Sequence, residues 1–282
     1  MRSSRQSVAA HDNGLRRDGF LVLPAFLDDS ELRKARTEVE LVLAKPLRPG
    51  CDRPHNTLVP LRWTDLLVQR VLGAARRIER VVDEVGASDI KWISGYVSVK
   101  EPRSPALWWH QDWWCWCHPV TFEPSAPQIA LLCYFDKTDE RTGALRVLPG
   151  SHRRSLPLHA LLPDAHAHAE GDLEASHPAM SDHPDQVTVA ASAGDAVVID
   201  YRLLHGTHPN TQARRRDCLI LNFAPSWRQL PADIRAHLIR HPAQPTEREK
   251  AGGAMLTLLP HFSGPRRDLS LSREAPYHFL IE

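Results

Sequence analysis

The chain has 282 residues, enough for one large domain or two small ones, and its 35 Lys and Arg nearly cancel its 34 Asp and Glu. That balance supplies no basic field of the kind that recruits a phosphate backbone or an anionic membrane, so nucleic acid and membrane are not expected partners. Five cysteines without scaffold spacing, no apolar run near the ~18 residues of a membrane helix, and no apolar core in the first fourteen residues point to a reduced, cytoplasmic protein.

In chain order, Gly19 to Pro24 is a short apolar run opened by Gly and closed by Pro, which suits a strand. Asp28 or Ser30 can cap a helix from about Glu31 to Ala44, with Leu32, Ala35, Val39 and Val42 on one face. A connector rich in Pro and Arg (46–60) leads to a second amphipathic stretch, Leu66 to Val85, so that helices are expected over about 28–86. From residue 90 the pattern changes to short apolar or alternating runs at 96–100, 107–113, 129–135, 144–148, 187–190, 196–199 and 218–223, separated by Gly and Pro. That spacing predicts a mainly β core over about 90–225 with flanking helices, a sandwich or barrel. Residues 153–184 are polar and His-rich without periodicity, and read as a long surface excursion of the kind that serves as a lid or stays disordered. Residues 226–282 read as an irregular extension, and the whole chain, 1–282, as a single domain.

Chemistry concentrates in Trp108-Trp109-His110-Gln111-Asp112-Trp113. In a strand, residues i and i+2 share a face about 6.5 to 7 Å apart, so His110 and Asp112 can grip one ion. A His-x-Asp pair is common on protein surfaces, but one set among Trp108, Trp109, Trp113, Trp114 and Trp116 would be costly to bury without a partner, and a metal supplies one. His205 or His208, after the run Ala196 to Ile199, offers a third ligand, and spacing alone does not choose between them. Two histidines and one carboxylate on one side of an ion leave positions open for a co-substrate and O2, the facial arrangement of non-haem Fe(II) oxygenases. Arg216 enters an apolar strand, which invites a bidentate carboxylate. Cys115, Cys117 and His118 lack the second cysteine pair that a zinc site needs.

Asp18-Gly19-Phe20 with Leu23-Pro24, His110-Gln111-Asp112, the run Gly143 to His152, Gly194-Asp195, and Leu204-His205-Gly206-Thr207 with Asn210 and Arg216 occur in an order that resembles the phytanoyl-CoA dioxygenase family. The resemblance spans about residues 15–225 and implies a double-stranded β-helix (jelly-roll, cupin-like) core, with Fe(II), 2-oxoglutarate and O2. It implies that His110, Asp112 and His205 are the metal ligands, which decides between His205 and His208. It further implies that Arg216 anchors the far carboxylate of 2-oxoglutarate with Thr207 as helper, and that Trp116 resembles an aromatic wall of the co-substrate. Ectoine-hydroxylase-like members carry an amide on the strand before the triad, where this sequence has Ser94 or Ser98. Asp112 occupies the position that related halogenases give to a small residue, which implies hydroxylation, with ring closure or desaturation as diversions.

The expected substrate is a small polar metabolite or a natural-product intermediate, since no basic patch of CoA size is evident. Two other readings are a cupin-like isomerase or hydrolase without 2-oxoglutarate, which would not need Arg216, and a non-catalytic β-sandwich that binds no metal. Oligomeric state has no signature in the sequence.

Overall fold

The computed structural model describes residues 14–45, 56–162, 173, 176–246, 249 and 254–282. In chain order these form α1 (Gly14–Asp18), β1 (Phe20–Leu23), α2 (Asp29–Leu43), β2 (Asn56–Leu61), α3 (Leu66–Leu72), α4 (Ala75–Val85), β3 (Lys91–Lys100) and β4 (Leu107–His110). There follow β5 (Ile129–Tyr134), β6 (Leu145–Val147), β7 (Val187–Val189), β8 (Ala196–Asp200), β9 (His205–Thr207), β10 (Arg216–Ala224) and α5 (Ala232–Leu238). The strands make two antiparallel sheets, ordered β1-β8-β5-β10-β3-β2 and β4-β9-β6-β7, the jelly roll that the motif order implies.

Period-two alternation sorts the large sheet into two faces. Leu219, Leu221 and Phe223 of β10 join Ile129, Leu131 and Cys133 of β5 and pack under α2, α3 and α4. The intervening residues Leu132, Tyr134, Val197 and Ile199 face the small sheet instead. A register shift between Asn222 and Phe223 lets Trp92 fall on the helix side and Ile93 on the inner side. The helices are fastened by polar contacts as well. Asp28 caps α2 through a reciprocal bond with Glu31, and Arg70 and Arg77 pair with Glu38 and Glu31.

Three expectations are corrected. The stretch Leu66 to Val85 is two helices, broken where Gly73 caps α3 and Ala74 takes an extended conformation before α4. The latter part of the expected connector is strand β2, an edge position where Pro60 removes no needed ladder donor, while residues 46–55 lie outside the described set. The tail is not uniformly irregular: it holds α5 and packs back onto the sheet, with the Gln244 amide donating to the carbonyl oxygens of Trp92 (3.0 Å) and Ile93 (2.7 Å). Of the excursion 153–184, residues 163–172, 174 and 175 lie outside the described set. Its described part packs against β4 and β6, where Trp109 donates to Ser181 O and Arg146 pairs with Asp182. No helix among the described residues is long and apolar enough to cross a membrane.

Candidate active site

Strands β4 and β9 pair so that His110 and His205 stand opposite one another, their ring centroids 4.2 Å apart. Asp112, two residues after His110, returns to the same side. Its Oδ1 lies 3.9 Å from His110 Nε2 and its Oδ2 3.7 Å from His205 Nε2. One donor atom from each residue falls within 4.8 Å of the others. Each imidazole is oriented by its own backbone: His110 Nδ1 lies 3.0 Å from Trp108 O, and His205 Nδ1 lies 3.0 Å from Leu203 O. A carbonyl oxygen only accepts, so both Nδ1 atoms carry a proton, which leaves each Nε2, on the Asp112 side, as the atom that would meet a metal. Two neutral imidazoles and one carboxylate converging in this way fit a divalent iron. His208 is elsewhere, with its Nε2 2.9 Å from Thr188 Oγ1.

The turn that presents His205 is built around a buried ion pair. Arg202, with none of its surface exposed, bonds Asp200 through Nη2 at 2.7 Å and Nε at 3.0 Å, and donates Nη1 to the carbonyl oxygens of Thr121 and Glu123. Burial pushes the Asp200 carboxyl up, but the Arg202 charge and hydrogen bonds outweigh it and hold the group ionised. Gln111 donates to Arg202 O, Trp113 N to Tyr201 O (2.9 Å), and Leu204 N to Ser151 Oγ (2.9 Å). The two segments that carry the triad are thus tied to each other through their neighbours, which sets their spacing.

Beneath the triad lies a cationic floor. Arg216 opens β10 with 5% exposure, donates Nη2 to Gly143 O at 2.9 Å, and lies over the Tyr134 ring. Its Nε is buried without a partner, as is the hydroxyl of Thr207 on β9. Unsatisfied buried donors are rare, and these two line the same cavity, so the floor fits the far carboxylate of a dicarboxylate such as 2-oxoglutarate. Ser98, two residues from Lys100 on β3, also lines it. Lys100 pairs in register with Arg216, is 1% exposed, and donates Nζ to Pro105 O at 2.7 Å. Burial, then the neighbouring Arg216 and Arg146, push its ammonium down to about 7. Reading by sequence missed Lys100; its signal was a lysine on the inward parity of an apolar strand.

The cavity encloses about 820 Å³ and runs from this floor past the triad to the tail. Trp116 is not among the residues lining it: the ring is 1% exposed and lies against Phe279, 5.1 Å between centroids. The tryptophans that do line it are Trp108 and Trp114. Trp116 follows Asp112 by four residues along an irregular loop, so strand parity cannot say which tryptophan turns inward. Ser94 and Ser98 both line the cavity, and opposite Ser94 on β10 stands an amide, Asn222, which donates to Ser94 Oγ at 2.9 Å and leaves its Oδ1 unpaired. None of the described residues of 153–184 lines the cavity, so a lid role finds no contact there.

The family model described as phytanoyl-CoA dioxygenase (PhyH) matches residues 15–218. L-proline trans-4-hydroxylase of Streptomyces griseoviridis is 25% identical over 233 residues, covering 73% of this chain and 82% of that one. Ectoine dioxygenase of Nocardia farcinica is 24% identical over 232 residues, covering 73% and 74%. Among solved structures, HygX from Streptomyces hygroscopicus, crystallised with nickel, 2-oxoglutarate and hygromycin B, superposes with a TM-score of 0.55 at 19% identity, covering 85% of this chain and 92% of that one.

Proposed function

The chain belongs to the phytanoyl-CoA dioxygenase family and is an Fe(II)- and 2-oxoglutarate-dependent dioxygenase, and from that premise we propose that His110, Asp112 and His205 hold the iron while Arg216 and Thr207 hold the far carboxylate of 2-oxoglutarate. The observation that carries this assignment is the placement of three converging metal donors and two unsatisfied buried donors on one cavity.

When bound, the iron with 2-oxoglutarate and O2 supplies the oxidising chemistry, and 2-oxoglutarate leaves as succinate and CO2. The chain's own residues then bind, orient and exclude water. His110 and His205 keep Nε2 available because Trp108 O and Leu203 O hold the Nδ1 protons. Asp112 contributes one negative charge and fills the position that a halide would need, which favours hydroxylation. Arg216 and Thr207 fix one end of the co-substrate, and the buried floor keeps solvent from it. The relatives act on proline and ectoine by their names, and a small molecule offering an unactivated C–H is the reading we adopt for the substrate. Ring closure or desaturation would follow where substrate geometry diverts hydroxylation.

The test loads the metal-free protein with Fe(II) under argon and measures stoichiometry, then follows conversion of 2-oxoglutarate to succinate in air. One iron per chain, lost in His110→Ala, with succinate formed above background, is the expected result. Stoichiometric metal without succinate would favour a cupin-like isomerase or hydrolase, and no metal at all a binding module.

A further inference from the structure

The floor and the triad leave the opposite wall of the cavity for the substrate, and that wall comes from the tail, beyond the residues that match the family model. We infer that the substrate carries a carboxylate and that Arg273 binds it. The inference rests on the dioxygenase reading of the cavity and deepens it.

Arg273 lines the cavity and is partly buried. Its backbone is held in place by a short parallel bridge to the segment that follows Asp112. Trp116 N donates to Ser272 O at 2.8 Å, Ser272 N donates to Trp114 O at 2.9 Å, and Cys117 N donates to Ser272 Oγ at 2.9 Å. A residue one position beyond such a clamp starts from a defined point on the wall, so only its own side chain is left to order on binding.

Among the described residues Arg273 has no ion-pair partner. Arg240, on the same wall, pairs with Asp268, which also lies 3.8 Å from His237 Nδ1, so that cluster is internally neutralised. Arg146 pairs with Asp182 and Arg202 with Asp200. Among the described residues no carboxylate lies within 4.0 Å of Arg273, and no hydrogen bond engages its guanidinium. A planar, permanently charged fork at a cavity wall without an anion is matched by a carboxylate from the ligand. A phosphate dianion would call for a second free cation, and Arg240 is committed.

The surroundings say where the rest of such a substrate lies. Tyr201, Asp112 and Arg273 line the same cavity, so an anchor on Arg273 shares its space with the triad. Trp114, stacked on His237 at 4.4 Å, lines the cavity together with Trp108 and offers an apolar surface to the carbon skeleton. A carboxylate on Arg273 and a skeleton on these rings would bring the intervening C–H groups toward the triad.

The test uses the full chain loaded with Ni(II), which resists oxidation, and 2-oxoglutarate. Binding of three acids, L-tryptophan, indole-3-acetate and phenylacetate, is measured calorimetrically beside that of their primary amides. At least one acid should bind tenfold or more tighter than its amide. Arg273→Gln should abolish that preference while leaving metal loading and 2-oxoglutarate affinity unchanged, and Arg273→Lys should keep part of it. If no acid outbinds its amide, or the preference survives in Arg273→Gln, the inference is overturned while the dioxygenase reading stands. Failure of the wild type to take up metal and 2-oxoglutarate would overturn both.

Discussion

Lys100 offers a quantitative check on the cationic floor, made with the metal-free and 2-oxoglutarate-free protein. Its ammonium, ordinarily at 10.5, is pushed down to about 7 by burial and then by Arg216 and Arg146. The unfolded chain therefore holds this proton up to about pH 10.5, while the folded chain begins to release it near pH 7. Between those limits the unfolded state binds more protons, so the charge destabilises the fold most below pH 7 and less as pH rises. Integrated from pH 6 to pH 9, the relief amounts to about 2 to 3 kcal/mol. Lys100→Met keeps the aliphatic stem, which passes under Gly143, and removes the charge. It also leaves Pro105 O without its donor, a cost that does not vary with pH. Urea unfolding of both proteins at pH 6, 7, 8 and 9 should show the stability of the variant relative to wild type falling by about 2 to 3 kcal/mol across the series. A difference that is constant, or that moves the other way, would refute the claim that an ammonium is held buried beside Arg216.

Two further perturbations probe the same floor. Arg216→Lys keeps the charge but loses the fork and the reach to Gly143 O, so the 2-oxoglutarate concentration for half-maximal succinate formation should rise on the order of 10- to 100-fold with iron stoichiometry unchanged; an unchanged requirement would remove Arg216 from the co-substrate site. Gly143→Ala places a Cβ 2.6 Å from Lys100 Cδ at a backbone φ of +77°, and thermal unfolding should show a loss of about 1 to 3 kcal/mol. An unaltered melting temperature would mean that this turn relaxes freely.

The parts legible in the sequence are those encoded by short-range period. Ile129 to Tyr134 and Arg216 to Ala224 alternate cleanly because one face meets helices and the other meets the small sheet. His110 and Asp112 were readable as a pair because two residues in extended chain share a side. Bringing His205 to them needed ordered motifs, since the contact spans the β4–β9 ladder and no local rule predicts which strands pair. Strand β2 was hidden by Pro60, which disfavours a central strand yet is compatible with an edge. The break between α3 and α4 was hidden because the apolar period continues across Gly73 and Ala74 even though the backbone does not.

The tail shows why the reaction class was easier to read than the substrate. Each residue assigned to iron or 2-oxoglutarate lies on a core strand or just past one, within the span shared with the family, where register alone delivers the geometry. The wall across from them is assembled from α5, from residues 268–273 and from the loop after Asp112, and these meet only through side-chain and backbone contacts between segments far apart in sequence. His118 reaches Asp233 at 3.3 Å, Ser272 clamps the backbone between Trp114 and Cys117, and His237 stacks on Trp114. None of these pairs leaves a period or a spacing to read. The strands thus carry the triad, while the tail carries the wall that a substrate would meet. In this chain the tail places the Arg273 guanidinium on that wall, and by the inference above substrate choice should follow it.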